Sequence, residues 1–528
     1  MGEPVDWPTR DLLSHRVAAT PQRTALIDDE TGTTWTYREL DRRVDQVAAS
    51  LAGLETDSDR PRLGVLMDTR PAFVTVFFAA MRTGVTIVPL NVRETVAELA
   101  GKVDRTAPAA VVCEADTEST ALEVADALDS GAATESPAVL TVDESADGRA
   151  RRLFASVEAG DPDATPTVDP VSLERDDPLM IMFTSGTAGE PKAVRLTVGN
   201  LVASATASAF RLGVDPGDRW LCCLPMYHMG GLAPVLRSAL YGTTVVVQRS
   251  FDRHGTARIL EEYDITGVSL VPTMCKRLLD AGWEPTDSLR FVLLGGAPAS
   301  SDLLERCQAA GVPTHPTYGM TETASQIATA TPAEAASHEG TVGQPLLFTD
   351  VTVVDDAGEP VPAGEAGELV VSGPTVTPGY LEAAQTDAAV GAYGLHTGDV
   401  GYEDEDGRLW VLNRRSDRIV TGGENVDPGE VLETVRSHPA VEDAAVVGLD
   451  DSEWGERVGA LVVPADGDGR DGDAELDLES VLEHCETRLA GFKRPKTIGV
   501  VDTLPRTASG TVDREAVRDR LREAGTDV

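Results

Sequence analysis

Lysine is nearly missing from this chain. Its 528 residues include 45 Lys and Arg, of which only Lys102, Lys192, Lys276, Lys493 and Lys496 are lysine. Positive charge is scarce overall: 87 Asp and Glu leave a net charge of −42. So acidic a chain repels phosphate backbones and anionic lipid, which argues against nucleic acid and an anionic membrane surface as partners. No run of about 18 apolar residues occurs, so no membrane span is expected. The opening MGEPVDWPTR lacks the basic-then-apolar pattern of a secretory leader. The six cysteines, at 113, 222, 223, 275, 307 and 485, form no CxxC pair, which favours buried thiols over metal ligands and implies no disulfides. A soluble, cytoplasmic protein is expected.

What is present is a long, globular chain. The length exceeds what one hydrophobic core serves, and an apolar content of 41% is ample for folding, so two or more domains are expected. The acid is spread along the whole sequence, as a solvated surface is. With lysine depleted and Ala and Val abundant, the composition resembles proteins of salt-loving archaea. At molar salt the Debye length is about 3 Å, and the self-repulsion of such a surface is screened.

Apolar, β-branched runs recur at 62–67, 84–90, 109–113, 243–248, 267–272 and 290–296, with helical patterns such as 70–83 and 300–310 between them. Strands alternating with helices predict an α/β fold with mainly parallel sheets. The stretch 351–374 has two alternating runs around a Gly/Pro turn, which predicts a small barrel-like antiparallel sheet. A compact βαβ-like portion is expected over 430–465, and 466–477 reads as a Gly/Asp-rich surface loop. The expected organisation is a large N-terminal domain, 1–415, and a small α+β C-terminal domain, 416–528. Residues 114–169 are acidic, Ala-rich and weakly periodic, and no structure is predicted there.

One of the five lysines sits in FTSGTAGEPK, residues 183–192. An apolar strand leads into a loop where Gly186 and Gly189 let backbone N–H groups approach an anion, and Thr184, Ser185 and Thr187 add hydroxyl donors. Lys192 supplies a compact charge on a flexible stem, suited to a phosphate that moves, which Arg's rigid fork is not. These features favour a polyphosphate loop over a plain polar turn; the spacing is not the GxxxxGK[ST] of a Walker A loop.

FTSGTAGEPK resembles the phosphate loop of the acyl-adenylate-forming superfamily, and further motifs follow in that superfamily's order. These are TYGMTET (317–323), HTGDVGYEDEDGRLWVLNRRSDRIVTGGENVDPGEVLE (396–433) and LPRTASGTVDR (504–514). The resemblance covers nearly the whole chain. It implies joining of a carboxylic acid to ATP with Mg²⁺, giving acyl-AMP, and transfer of the acyl group to coenzyme A. It also implies that Thr184 to Lys192 hold the β- and γ-phosphates, Thr321 the α-phosphate and Glu322 the Mg²⁺. Gly296, Ala297 and Pro298, with Tyr318, Gly319 and Met320, would line the adenine pocket. Asp399 would take the ribose hydroxyls with Arg414 nearby, and Gly422 and Gly423 would border the pantetheine path. Lys493 and Lys496 are candidates for the coenzyme's phosphates. The C-terminal domain would act as a mobile lid turning about residues 415–417.

Three strings, CLPMYHMGGL (223–232), RSALYGTTVVV (237–247) and the run 293–327 ending in ASQI, are similar to the o-succinylbenzoate–CoA ligases of menaquinone biosynthesis. That acid carries a second carboxylate and a ketone, so its pocket needs donors. His228, Arg237, Thr273 and Gln326 are the candidates. Another aryl or medium-chain acyl-CoA ligase is the neighbouring reading, and a homo-oligomer stays open. Two positions depart from the pattern. Thr511 stands where the superfamily has a catalytic Lys, with Arg506, Arg514, Lys493 and Lys496 as candidate stand-ins. Ser416 stands at the hinge where Asp or Lys is usual. The Thr511 departure keeps open an adenylate- or CoA-binding protein impaired in adenylation.

Overall fold

The computed structural model describes residues 10–54, 60–129, 136–146, 148–153, 168–184, 191–415, 419–421, 424–426, 428–452, 454–465, 476–507 and 512–528. It divides into two compact units, one of Met1–Val351 with Val371–Leu395 and one of Thr352–Val370 with His396–Val528.

The first unit is built on two sheets. In the eight-stranded sheet the order runs Ser325–Thr329, Thr314–Met320, Phe291–Leu294, Gly267–Leu270, Arg219–Cys222, Thr244–Val247, Thr24–Asp28, Thr34–Thr36. The six strands from Thr314–Met320 to Thr24–Asp28 are mutually parallel, and the two edge strands pair antiparallel. The seven-stranded sheet runs Arg151–Arg152, Ala138–Thr141, Ala110–Cys113, Arg62–Leu66, Thr86–Leu90, Pro178–Thr184, Lys192–Thr197, antiparallel only at the last pair.

Parallel strands are covered on both faces, so they are continuously apolar; Phe291–Leu294 and Ala110–Cys113 are buried at every position. The helices between them start where the sequence supplies a start signal. Pro71 and Pro272 open Pro71–Thr83 and Pro272–Asp280, and the Ser300 side chain accepts the Leu303 N–H ahead of Ser301–Ala309. Gly84 ends the first of these in the left-handed region, φ +72°. Each sheet has its own apolar core, centred on Val246, Val268 and Val292 in one and on Val88, Val111 and Ile181 in the other. The uncommitted region beyond residue 114 proves to hold a helix, Glu118–Asp129, and the strand Ala138–Thr141.

The 350–414 region forms a small five-stranded sheet from Asp350–Val354, Gly367–Ser372, Val390–Gly391, Gly394–Glu403 and Leu409–Arg414. The C-terminal portion corrects the βαβ expectation. Val441–Asp451 and Gly455–Pro464 make a long antiparallel hairpin preceded by the helix Pro428–Arg436. The parallel crossover comes one step later, from Gly455–Pro464 through Leu478–Glu486 to Thr497–Val500. Only three residues separate the two hairpin strands, too few for the helix a parallel return needs. Both faces of the hairpin are buried: Ala444 and Val446 point into one core, Ala445, Val447 and Leu449 into the other. That is the period of two a strand imposes.

Candidate active site

The hairpin Pro178–Thr184/Lys192–Thr197 places Thr184 directly opposite Lys192, at the base of the predicted phosphate loop. Ser185, Gly186, Thr187 and Gly189 lie outside the described residues. The Lys192 ammonium sits over the ring of Tyr380, 5.0 Å from its centroid. Among the described residues Lys192 makes no ion pair, in contrast to Lys102 with Glu94 at 2.5 Å and Lys493 with Glu430 at 2.6 Å. The Tyr380 hydroxyl donates to Glu322 Oε1 at 3.0 Å. Burial and the adjacent carboxylate push the Tyr380 phenol well above its ordinary pKa, so it stays a donor. The predicted phosphate lysine and the predicted metal carboxylate thus contact one tyrosine, which the motif reading did not single out.

The next group follows from topology. Ligands of open α/β sheets bind off the carboxyl ends of the strands. Three candidate segments leave those ends in the eight-stranded sheet: Thr273 after Gly267–Leu270, Gly296 to Pro298 after Phe291–Leu294, and Tyr318 to Glu322 at the end of Thr314–Met320. Thr273, Gly296, Ala297 and Pro298 are exposed, whereas the Glu322 carboxylate is buried. Gly319 cannot be replaced by a larger residue, since a Cβ there would lie 1.7 Å from the Ser325 carbonyl oxygen. The turn after it is strained, with Ala324 at φ +52° and Ser325 at φ +123°. The register slips between Tyr318 and Gly319, and the Ser204 hydroxyl donates to the Ala324 carbonyl at 2.8 Å. Met320 and Thr321 are half-buried, and Thr321 opens the short turn Thr321–Thr323 that carries Glu322.

His228 caps the helix Met229–Tyr241 with no side-chain cap bond, and its Nε2 is buried without a hydrogen-bond partner. Burial, aided by Lys102 and Arg93, lowers its pKa to about 4, so the ring is neutral near pH 7. Arg237 lies on the same helix, roughly 13 Å further along the axis. It is 2% exposed, its guanidinium stacks 5.4 Å from the Trp220 ring, and its Nη2 is buried with no partner. The two are therefore not side by side. Gln326 is buried; its amide donates to Thr329 Oγ1 at 2.7 Å, and its Oε1 has no partner.

In the second unit Asp399 and Arg414 are opposite one another across two strands, with Arg414 Nε 3.3 Å from Asp399 Oδ1. A buried acid missed by motif reading, Glu368, frames them. It accepts from the Gly398 N–H at 3.1 Å, lies 3.0 Å from His396 Nδ1, and pairs with Arg415 at 2.8 Å. Lys493 is tied to Glu430, while Lys496 is exposed. Arg506, a candidate stand-in for the absent Lys, pairs with Asp443 at 3.0 Å, and its backbone bridges to Val512. Gly422, Gly423, Ser416 and Thr511 lie outside the described residues. All six cysteines are free and buried. Among the described residues no helix is long and apolar enough to cross a membrane.

Exposed segments at the strand ends of an open α/β sheet, a lysine at the base of a hairpin and a buried carboxylate match the arrangement expected of an adenylate-binding enzyme. The chain matches the AMP-binding enzyme family over residues 13–381 and the AMP-binding enzyme C-terminal domain over residues 430–511, and it belongs to that family. A 2-succinylbenzoate–CoA ligase of Bacillus licheniformis is 42% identical over 325 residues, 61% of this chain and 66% of that one. Among solved structures, o-succinylbenzoate CoA synthetase from Bacillus subtilis with its acyl-adenylate intermediate superposes with a TM-score of 0.85 at 32% identity, covering 98% of this chain and 99% of the other. The same Bacillus subtilis enzyme with ATP and magnesium ion gives 0.82 at 32% identity, covering 97% and 99%.

Proposed function

We propose that this protein is an acid–thiol ligase that makes 2-succinylbenzoyl-CoA, AMP and pyrophosphate from 2-succinylbenzoate, ATP and coenzyme A by way of an acyl-adenylate. The observation that carries the reading is the Lys192–Tyr380–Glu322 constellation, found within a fold shared across its length with an enzyme that holds such an adenylate. Adenylation asks for little covalent help from the protein; it needs the phosphates held, their charge met and the acid aligned. Thr184 and Lys192, with Ser185, Gly186, Thr187 and Gly189, take the β- and γ-phosphates. Thr321 takes the α-phosphate. Asp399, with Arg414, takes the ribose, and Gly422 and Gly423 border the thiol's approach.

Mg²⁺ fits the donor set. Among the described residues no three acidic or His/Cys side chains cluster as a protein-built cage. A single buried carboxylate, Glu322, suits an ion that shares its other positions between phosphate oxygens and water. When bound, the ion neutralises phosphate charge.

For the acid, His228 offers a neutral ring with an unmatched nitrogen, and Arg237, further along the same helix, a buried guanidinium with no carboxylate partner among the described residues. A buried guanidinium without a counter-charge is costly, and a dicarboxylic acid supplies one. Thr273 and Gln326 complete the candidate pocket. We place the protein in the cytoplasm of a halophile, in keeping with six free thiols and a net charge of −42. The missing Lys at 511 supports a second reading, a protein competent only in thioester formation.

Pyrophosphate exchange with 2-succinylbenzoate and ATP, run at low and at molar KCl, tests all of this. Exchange with this acid and not with other aryl or medium-chain acids, rising with salt together with Tm, is expected. No exchange, but coenzyme-A-dependent consumption of premade acyl-adenylate, selects the second reading.

A further inference from the structure

We infer that Tyr380 is a positioning residue for adenylation, one that sets the Mg²⁺-binding carboxylate and the phosphate-loop ammonium relative to each other. This rests on the adenylation reading above. Three observations converge. The ring of Tyr380 underlies the Lys192 ammonium at 5.0 Å, its hydroxyl donates to Glu322 Oε1 at 3.0 Å, and the residue is only 3% exposed. A cation on a desolvated aromatic face and a hydrogen bond to an ionised carboxylate are both directional contacts.

The backbone around the tyrosine makes the bridge rigid. Residues 377–381 are laced to the Lys192 strand: Val194 and Tyr380 pair antiparallel, the Arg195 N–H donates to the Gly379 carbonyl at 3.1 Å, and the Leu381 N–H to the Ala193 carbonyl at 2.8 Å. The other end of the segment holds the turn that bears the acid, for the Thr377 N–H donates to the Glu322 carbonyl at 2.7 Å. Thr377 Oγ1 donates to the Gly379 carbonyl at 2.8 Å, and the Tyr380 N–H donates to Thr386 Oγ1 at 2.8 Å. Gly379 has φ +132°, and a Cβ there would meet Thr386 Cγ2 at 2.4 Å, so no larger residue could deliver the tyrosine along this path. The strap thus joins a hairpin near residue 192 to a turn near residue 322, two elements remote in sequence whose side chains must face one polyphosphate.

The two ends of the phenol do different jobs and can be separated by substitution. Tyr380→Phe keeps the ring under Lys192 and removes the donor to Glu322. Losing a hydrogen bond to a charged group corresponds to roughly a tenfold or greater effect. The expected result is a fall of about tenfold in kcat for pyrophosphate exchange and a rise of about fivefold in half-saturating Mg²⁺, with KM for ATP within about twofold of wild type. Tyr380→Leu removes the ring as well, and KM for ATP should rise by a further factor of about ten. Consumption of premade acyl-adenylate by coenzyme A should be unchanged in both variants.

Calorimetric titration of ATP without the acid, with and without Mg²⁺, gives a readout independent of turnover. Mg²⁺ should strengthen ATP binding in wild type and do so less in Tyr380→Phe. A wild type that binds no MgATP sinks the nucleotide-site reading itself. A wild type that binds it, with Tyr380→Phe matching it in Mg²⁺ response and exchange rate, overturns the assignment of Tyr380 alone. A parallel fall of exchange and thioester formation in Tyr380→Phe would also overturn it, since that is the mark of a general structural role.

Discussion

Two cation-bearing regions under the same compositional pressure have been treated in opposite ways. At the hairpin base, Lys192 survives in a chain with almost no lysine, and its ammonium rests on an aromatic ring with no carboxylate partner among the described residues. In the second unit the motif that by resemblance should carry a lysine has Thr511, which lies outside the described residues, and three candidate cations of that unit are engaged: Arg506 with Asp443, Lys493 with Glu430, Arg414 with Asp399. On the function proposed above, the charge that awaits an arriving polyanion is the one left without a carboxylate partner among the described residues. Where charges are already neutralised by neighbours, they serve the fold as much as any ligand. The difference teaches that, in so acidic a protein, the pairing state of a cation says more about its task than its presence in a motif.

The largest expected effect breaks the first half of the comparison. Lys192→Ala should lower pyrophosphate exchange about 1000-fold while thioester formation from premade acyl-adenylate falls far less, measured by separate half-reaction assays. Lys192→Arg should recover little of the loss, because the planar fork cannot follow the phosphates as an ammonium does. The second test sharpens the other half. Thr511→Lys should raise exchange by up to about 100-fold if no side chain has taken over the role. An unchanged rate would identify a working stand-in, to be sought by substituting Arg506 and Arg514.

The smallest effect concerns the neutral ring of His228. His228 has its pKa lowered to about 4 in the folded state, against about 6.5 when unfolded. Below pH 6.5 the unfolded chain binds this proton and the folded one does not, so stability declines as pH falls and levels off below pH 4. The full difference is on the order of 3 kcal/mol. Thermal melts of wild type and His228→Asn should converge on acidification from pH 6.5 to 4, and a constant gap between them would show that the ring is not held neutral.

Much of this was legible in the sequence because the signals are local. The parallel strands read directly from β-branched runs, since a strand buried on both faces has no polar alternation to confuse it. Gly319 was readable as part of a motif, though not the 1.7 Å approach that makes it obligatory. What could not be read depends on distant pairing. Tyr380 lies in an unremarkable PGYLEAA stretch, and only its pairing to Val194 brings it beneath Lys192. Glu368 was one acid among 87 until the fold buried it beside His396 and Arg415. The helix Glu118–Asp129 escaped notice because Ala on its buried face contrasts weakly with its surroundings. The C-terminal hairpin was misread because the direction of a returning strand is decided by the length of the turn.

The strained backbone at Ala324 and Ser325 has a consequence for how this protein can change over time. A turn that would relax if released stays in shape only while its clamps hold, and one clamp is the hydroxyl of Ser204, 120 residues away on the helix Val198–Leu212. A substitution at this interior serine would therefore be felt at the turn that follows Glu322.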